Sequence, residues 1–137
     1  MSDFALDARL AADTIPIGEL ALCAVLLMGD ARFPWFILVP RRTGVSELTD
    51  LSDADATALM QEIRVAARVL NEMAQPDKLN LGALGNVVPQ LHVHVIGRFR
   101  SDPAWPGPVW GHGNRTPYPG HAAAALIERA ASLFTAA

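Results

Sequence analysis

The stretch Pro89–Arg98, PQLHVHVIGR, carries two of the four histidines of the chain, two residues apart in an otherwise apolar run. On a strand, alternate side chains point to opposite faces. Gln90, His92, His94, Ile96 and Arg98 then share one side, and Leu91, Val93, Val95, Gly97 and Phe99 share the other. The second set is a core face. The first lines up an amide, two imidazoles and a guanidinium, and three readings fit it. It is the solvated face of a sheet whose other side packs on a helix. Or two imidazoles ligate a metal, which needs at least a third protein ligand; His112 and His121 are the candidates, and there is no cysteine pair. Or one histidine attacks a phosphoryl or nucleotidyl centre, since a neutral ring nitrogen is available near pH 7.

Working outward, KLNLGAL alternates at period two like the histidine stretch, and GNVV separates them, so the two read as an antiparallel pair. Residues 20–28, LALCAVLLM, and 35–39, WFILV, are apolar runs of strand length around the turn-forming GDARFP, with Pro40 closing the second. Between the pairs the period changes. Ser52, with Asp55 three residues on, caps a helix start, and Leu59, Ile63, Ala66, Leu70 and Met73 recur at helical spacing. This helix runs for about 20 residues and ends before Pro76. Ser101–Gly120 is rich in proline and holds Trp105 and Trp110, so it reads as an ordered, irregular loop, and HAAAALIERAASLF as a short closing helix. The expectation is a single α+β domain over residues 1–137: an antiparallel sheet of about five strands, one face covered by one long helix, with residues 101–137 as a loop-and-helix extension.

Composition agrees with one domain. A chain of 137 residues buries roughly two-thirds of its unfolded surface, enough for a core without a metal or a disulfide. The single Cys23 rules out a disulfide framework and points to a reducing, cytoplasmic setting. The acidic N-terminal stretch does not read as a secretory signal, and no apolar run reaches the length of a membrane span. A net charge of −3 argues against a duplex nucleic acid partner. Any anion site must be local.

With these residues in hand, QLHVHVI resembles the signature of the histidine triad family, in which three histidines alternate with apolar residues along one strand. NLGALGNVVPQLHVHVIGR resembles the family's Asn-x-Gly, short loop and Gly-Gln-Ser/Thr-Val stretch, with Asn80, Gly82, Gly85 and Val88 in place and Asn86 where Gln is usual. The order of strand, turn, strand ending in Pro-basic (WFILVPRR) and long helix also follows the family, so the likeness covers roughly residues 17–107. It implies a small α+β fold that dimerises by joining two sheets, and an enzyme that hydrolyses or transfers nucleotidyl groups. By the same resemblance His92 is the nucleophile, forming a nucleotidyl-histidine that water resolves to a nucleoside monophosphate. His94 orients and polarises the site, and Asn80 and Asn86 support the phosphates. No metal and no cofactor enters this reading, and the partners it implies are a nucleotide substrate and a second copy of the chain.

Three positions depart from the family pattern. Gln90 stands at the first triad position; an amide donates and accepts hydrogen bonds but carries no titratable proton. Val87 replaces a hydroxyl residue that contacts phosphate, and Leu26, Leu27 and Met28 lack the polar side chain that many members use for the ribose. Beyond the motif, Arg98 is placed to hold phosphates by charge-assisted hydrogen bonds, Arg100 either assists or solvates the strand end, and Arg41 and Arg42 read as surface charges. Trp105 and Trp110 either cap a nucleotide base or lock the dimer, or else cover core edges; His112 and His121 read as surface residues. A nucleotide-binding protein with weak or no catalysis is the first alternative. A cupin-like metal-binding domain is the second, with a Gly ahead of His-x-His but no carboxylate in Val95–Ser101 behind it.

Overall fold

The two apolar runs form the middle of the sheet in a computed structural model that describes residues 3–137. They are β2 (Cys23–Met28) and β3 (Trp35–Pro40), and every residue of β3 is buried. Before them come α1 (Ala8–Asp13) and β1 (Thr14–Glu19); after them come α2 (Asp53–Ala74), β4 (Lys78–Gly82), β5 (Val93–Arg98) and α3 (Gly120–Ala136). The five strands lie in the order β1-β2-β3-β5-β4, with every neighbour antiparallel. A five-stranded antiparallel sheet with one long helix against it is the expected α+β fold.

The registers divide the core in two. Phe36 pairs with Val95 and Leu38 with Val93, so these side chains share the face that meets α2 and α3. Leu59, Ile63, Ala66 and Leu70 of α2 complete that layer, as their helical spacing predicts, and each fully buried aliphatic side chain contributes roughly 1.5–3 kcal/mol. Ser52 Oγ accepts the Asp55 N–H at 3.1 Å, which is the expected cap. Glu62, buried in α2, accepts the N–H groups of Leu22 and Cys23 at 2.9 and 2.8 Å and so fixes the helix to the start of β2. Gly97 permits the close fit, because a Cβ there would lie 2.7 Å from Leu70.

On the other face Trp35 pairs with Ile96 and Ile37 with His94. That face is covered as well. Phe4, Leu6 and Leu10 from the N-terminal segment and Ala104, Val109 and Trp110 from the loop after β5 pack on Leu26, Trp35, Ile37 and Ile96. The expectation of a sheet covered on one face is thereby corrected: the histidine face carries its own cover, and neither His92 nor His94 is solvated, at 7% and 6% exposure. Two elements were not anticipated. β1 is an edge strand with an irregularity between Pro16 and Gly18, residues that weaken a strand signal and are tolerated at an edge; α1 is only six residues long. The closing helix, at 17 residues, is longer than expected. No helix among the described residues is long and apolar enough to cross a membrane.

Candidate active site

The regular pairing of β5 begins at Val93, so Gln90–His92 form its extended approach. Alternation nonetheless holds, since Leu91 joins the helix-side core and His92 and His94 sit against each other with ring centroids 4.9 Å apart. His92 Nδ1 lies 2.7 Å from the Gln90 carbonyl oxygen. A carbonyl can only accept, so Nδ1 carries the proton and the lone pair is on Nε2. The backbone two residues upstream thus sets the tautomer of the ring. His92 lines a cavity of about 160 Å³ with Ser46, Thr49, Leu84, Gly85 and Gln90.

His94 has the opposite tautomer. Its Nδ1 accepts the Trp35 indole N–H at 3.0 Å, and an indole nitrogen only donates, so the His94 proton sits on Nε2. Burial, with a smaller contribution from His92, pushes its pKa down to about 4. His94 is therefore neutral at pH 7, a hydrogen-bond donor rather than an acid. Trp110 closes over it edge-on, 5.4 Å between ring centroids. This approach needs Gly82, where a Cβ would lie 2.8 Å from the Trp110 ring. The Trp110 Nε1 is buried and has no hydrogen-bond partner among the described residues. Beside this pair lies a second cavity of about 340 Å³, lined among others by Met28, Trp35, Arg32 and Arg115, within the range of small-molecule sites.

The Gln90 side chain makes its hydrogen bonds away from the imidazoles. Its Oε1 accepts the Asp7 N–H at 2.8 Å and its Nε2 donates to the Ala5 carbonyl at 2.9 Å. The amide thus holds the N-terminal segment across the histidine face. Arg98 and Asn80, expected against the phosphates, and Trp105, expected against the substrate, are instead joined to one another. Arg98 is 1% exposed; its Nε and Nη2 donate to the two Asp102 oxygens at 2.8 and 3.0 Å, and its Nη1 donates to Asn80 Oδ1 at 2.9 Å. Its guanidinium lies over the Trp105 ring. The physical reason is burial itself: a desolvated guanidinium needs a counter-charge and acceptors from the protein. Asp102 supplies the charge, and the Arg98 bond, seconded by the N–H groups of Phe99, Ala104 and Trp105, holds its pKa down to about 2.

Asn86 lies exposed on the loop between β4 and β5, beside the exposed Val87. His112 and His121 are exposed, as expected. Arg41 and Arg42 are less idle than surface charges: Arg41 donates to the carbonyls of Leu20, Ala21 and Leu22, and Arg42 pairs with Asp55. No three His, Cys, Asp or Glu side chains among the described residues come together as a metal site. Sequence reasoning missed Trp35, Asp102 and the N-terminal pair Asp7 and Arg9. Asp102 had a faint signal in its position four residues after Arg98; the partnership of Trp35 with His94 depends on the β3–β5 register, which no local pattern reveals.

Known proteins share this fold. The structure superimposes on a histidine triad protein of Sinorhizobium meliloti with a TM-score of 0.92, at 46% identity over 95% of this chain and 96% of that one. A histidine triad protein of Bradyrhizobium japonicum gives 0.93, at 44% identity over 96% and 98% of the two chains. Among curated proteins, the AP-4-A phosphorylase of Mycobacterium tuberculosis is 38% identical over 72 residues, which span 48% of this chain and 36% of that enzyme. The asymmetrical bis(5'-nucleosyl)-tetraphosphatase of Schizosaccharomyces pombe is 30% identical over 74 residues, 50% of this chain and 41% of that enzyme. The chain therefore covers well under half the length of these two relatives. The HIT domain family model matches residues 9–101, a span that takes in α1 from Arg9 on, the whole sheet, α2 and both histidines of the site, and on that match the chain belongs to the HIT domain family.

Proposed function

We propose that the protein cleaves a phosphoanhydride or phosphoramidate bond at the α-phosphate of a nucleotide through a nucleotidyl-histidine on His92. The observation that carries this reading is the 2.7 Å contact between His92 Nδ1 and the Gln90 carbonyl, which leaves Nε2 with its lone pair free of a proton. In the first step Nε2 bonds to the phosphorus and the bond to the leaving group breaks, its electron pair departing with that group; a phosphate leaves as its anion, and an amine takes up a proton from solvent as it leaves. In the second, water attacks the phosphorus, the N–P bond breaks, the water's proton passes to solvent and the nucleoside monophosphate is released. His94, neutral with Nε2–H, donates to a phosphoryl oxygen. The named activities of the curated relatives, which concern dinucleoside tetraphosphates, support the nucleotide class. The two cavities, one lined by His92 and the larger one by His94, suit a phosphate on the His92 side and a nucleoside on the His94 side.

The test is a brief exposure to a dinucleoside tetraphosphate or a nucleoside phosphoramidate followed by mass analysis of the intact protein. A nucleotidyl adduct on wild type that is absent in His92→Ala is expected. If neither protein acquires an adduct or releases a monophosphate over a broad panel, the reading is wrong.

A nucleotide-binding protein with weak turnover is the second reading, favoured by Gln90, whose two amide atoms are already bonded to Ala5 and Asp7. Calorimetric binding of a nucleoside monophosphate without turnover would select it. The cupin-like alternative has no support, because His92 and His94 lack a third donor among the described residues. The reading includes a homodimer joined along β4, an edge strand whose Leu81 is exposed beside the exposed Leu84 and Val87; sedimentation at equilibrium gives its stoichiometry. It also includes a reducing, cytoplasmic setting, in keeping with the single, buried, unpaired Cys23.

A further inference from the structure

The loop that delivers His92 to the site is braced by a cation from the far end of the sequence. Asp7 caps α1 by accepting the Arg9 N–H at 2.8 Å, and its two oxygens accept Arg9 Nε and Nη2 at 3.1 and 3.0 Å. Arg9 Nη1 donates to the Val87 carbonyl at 2.8 Å. The backbone N–H of Asp7 is in turn held by the Gln90 side chain, and the Gln90 carbonyl orients His92. One chain of hydrogen bonds therefore runs from the guanidinium to the nucleophile. Arg9 is also the first cause of the lowered pKa of Asp7, through its side-chain and backbone hydrogen bonds.

A guanidinium has five N–H donors. Three of Arg9's are used in these contacts, which leaves one on each terminal nitrogen. The side chain is 54% exposed, so those two donors face solvent in a fixed orientation. Arg98 cannot take their place, because it is buried and bonded to Asp102 and Asn80. Among the described residues Arg9 is the cation hydrogen-bonded to the loop that precedes His92.

We propose that Arg9 is a specificity-determining residue that contacts the anionic leaving group of the substrate, the phosphates beyond the phosphorus that His92 attacks. This rests on the reading of His92 as the nucleophile. The chemistry of the site agrees. A departing amine takes a proton from solvent and leaves neutral, so it has no use for a fixed cation. A departing phosphate, with a second pKa of about 6, leaves as an anion and needs a cation instead. Arg9 supplies that charge with two donors, the geometry that matches phosphate oxygens. Gln90 has a part in this without touching substrate: it holds the segment that carries Arg9.

Calorimetric binding of inorganic tripolyphosphate, alongside turnover of a dinucleoside tetraphosphate and of a nucleoside phosphoramidate, tests the assignment on wild type, Arg9→Gln and Asp7→Asn. Arg64→Gln, an exposed residue of α2, is the control for net charge. Arg9→Gln is expected to weaken tripolyphosphate binding by about tenfold or more, the scale of a lost charge-assisted contact, with Arg64→Gln unchanged. Asp7→Asn, which keeps the guanidinium but loosens it, falls between. Arg9→Gln should lose kcat/KM on the tetraphosphate and keep it on the phosphoramidate, a split that mere loosening of the N-terminal segment would not produce. Equal loss on both substrates, unchanged affinity, or no tripolyphosphate binding to wild type overturns the proposal. If Arg9-dependent binding is found without turnover of either substrate, the contact stands and the hydrolase reading fails. Turnover of the tetraphosphate that ignores Arg9→Gln has the reverse meaning.

Discussion

Replacing Asp102 by Asn probes the network that holds the cover of the histidine face. The Arg98–Asp102 pair is almost fully buried, at 1% and 4% side-chain exposure, with its contact at 2.8 Å. Asp102 also accepts the N–H groups of Phe99, Ala104 and Trp105. Asn keeps an acceptor for those groups but removes the charge, leaving a buried guanidinium without a counter-ion. Breaking such a pair from one side costs about 3–5 kcal/mol, a large part of the roughly 5–15 kcal/mol that holds a domain together. With a urea dependence of about 2 kcal/mol per molar, the unfolding midpoint should fall by roughly 1.5–2.5 M. Glu19→Gln, which removes the partner of Arg41 in an exposed pair, should cost under about 1 kcal/mol. Acid gives a second readout. The Asp102 carboxyl is held down to about 2 by Arg98 first and the backbone donors next, so its contribution is complete above its ordinary pKa near 3.9 and is lost as pH falls from there through 2. That loss, about 2 kcal/mol, should disappear in Asp102→Asn. A midpoint shift no larger than that of Glu19→Gln, or an acid limb that the substitution leaves unchanged, would refute the reasoning.

Other outcomes follow from the same geometry. Because burial lowers the His94 pKa to about 4, its unfolded form takes up a proton first; stability is full above about 6.5 and declines by about 3 kcal/mol as pH falls to 4, a slope that denaturant titrations should find reduced in His94→Gln. Trp35→Phe removes the indole donor to His94 Nδ1 and should destabilise by about 1–3 kcal/mol; ¹⁵N shifts of the His94 ring should show mixed tautomers, and a retained single Nε2–H form would count against the indole as their cause. Gly82→Val drives a branched side chain into the Trp110 ring, so Trp110 should be displaced, seen as a red-shifted tryptophan emission that Gly18→Val, with open space around it, does not reproduce.

Much of the fold was legible because it is local. The helical spacing of Leu59, Ile63, Ala66 and Leu70 and the capping Ser52 sufficed for α2, and the apolar runs sufficed for β2 and β3. β1 escaped because TIPIG carries Pro and Gly and lies at an edge, where pairing on one side tolerates a weak pattern. Of the candidate site, the shared face of His92 and His94 was visible from alternation. The fate of Arg98 was not, because a guanidinium at the end of an alternating strand looks the same whether it meets solvent, phosphate or a buried carboxylate.

By itself the sequence determined the family, the sheet and helix that carry it, and the placing of two imidazoles on one face, since each depends on periods of two and 3.6 residues or on short spacings. Tertiary structure alone decided which ring nitrogen of each histidine carries its proton, that Gln90 holds the segment around Asp7, that Arg98 is consumed by Asp102 and Asn80, and that Arg9 stands beside the loop leading to His92. The reason is that tautomer, charge and availability are set by what lies within about 3 Å of an atom; apart from the Gln90 carbonyl beside His92 and the Asp102 carboxylate beside Arg98, those neighbours lie 18 or more residues away along the chain, Trp35 for His94 and Ala5 and Asp7 for Gln90 among them.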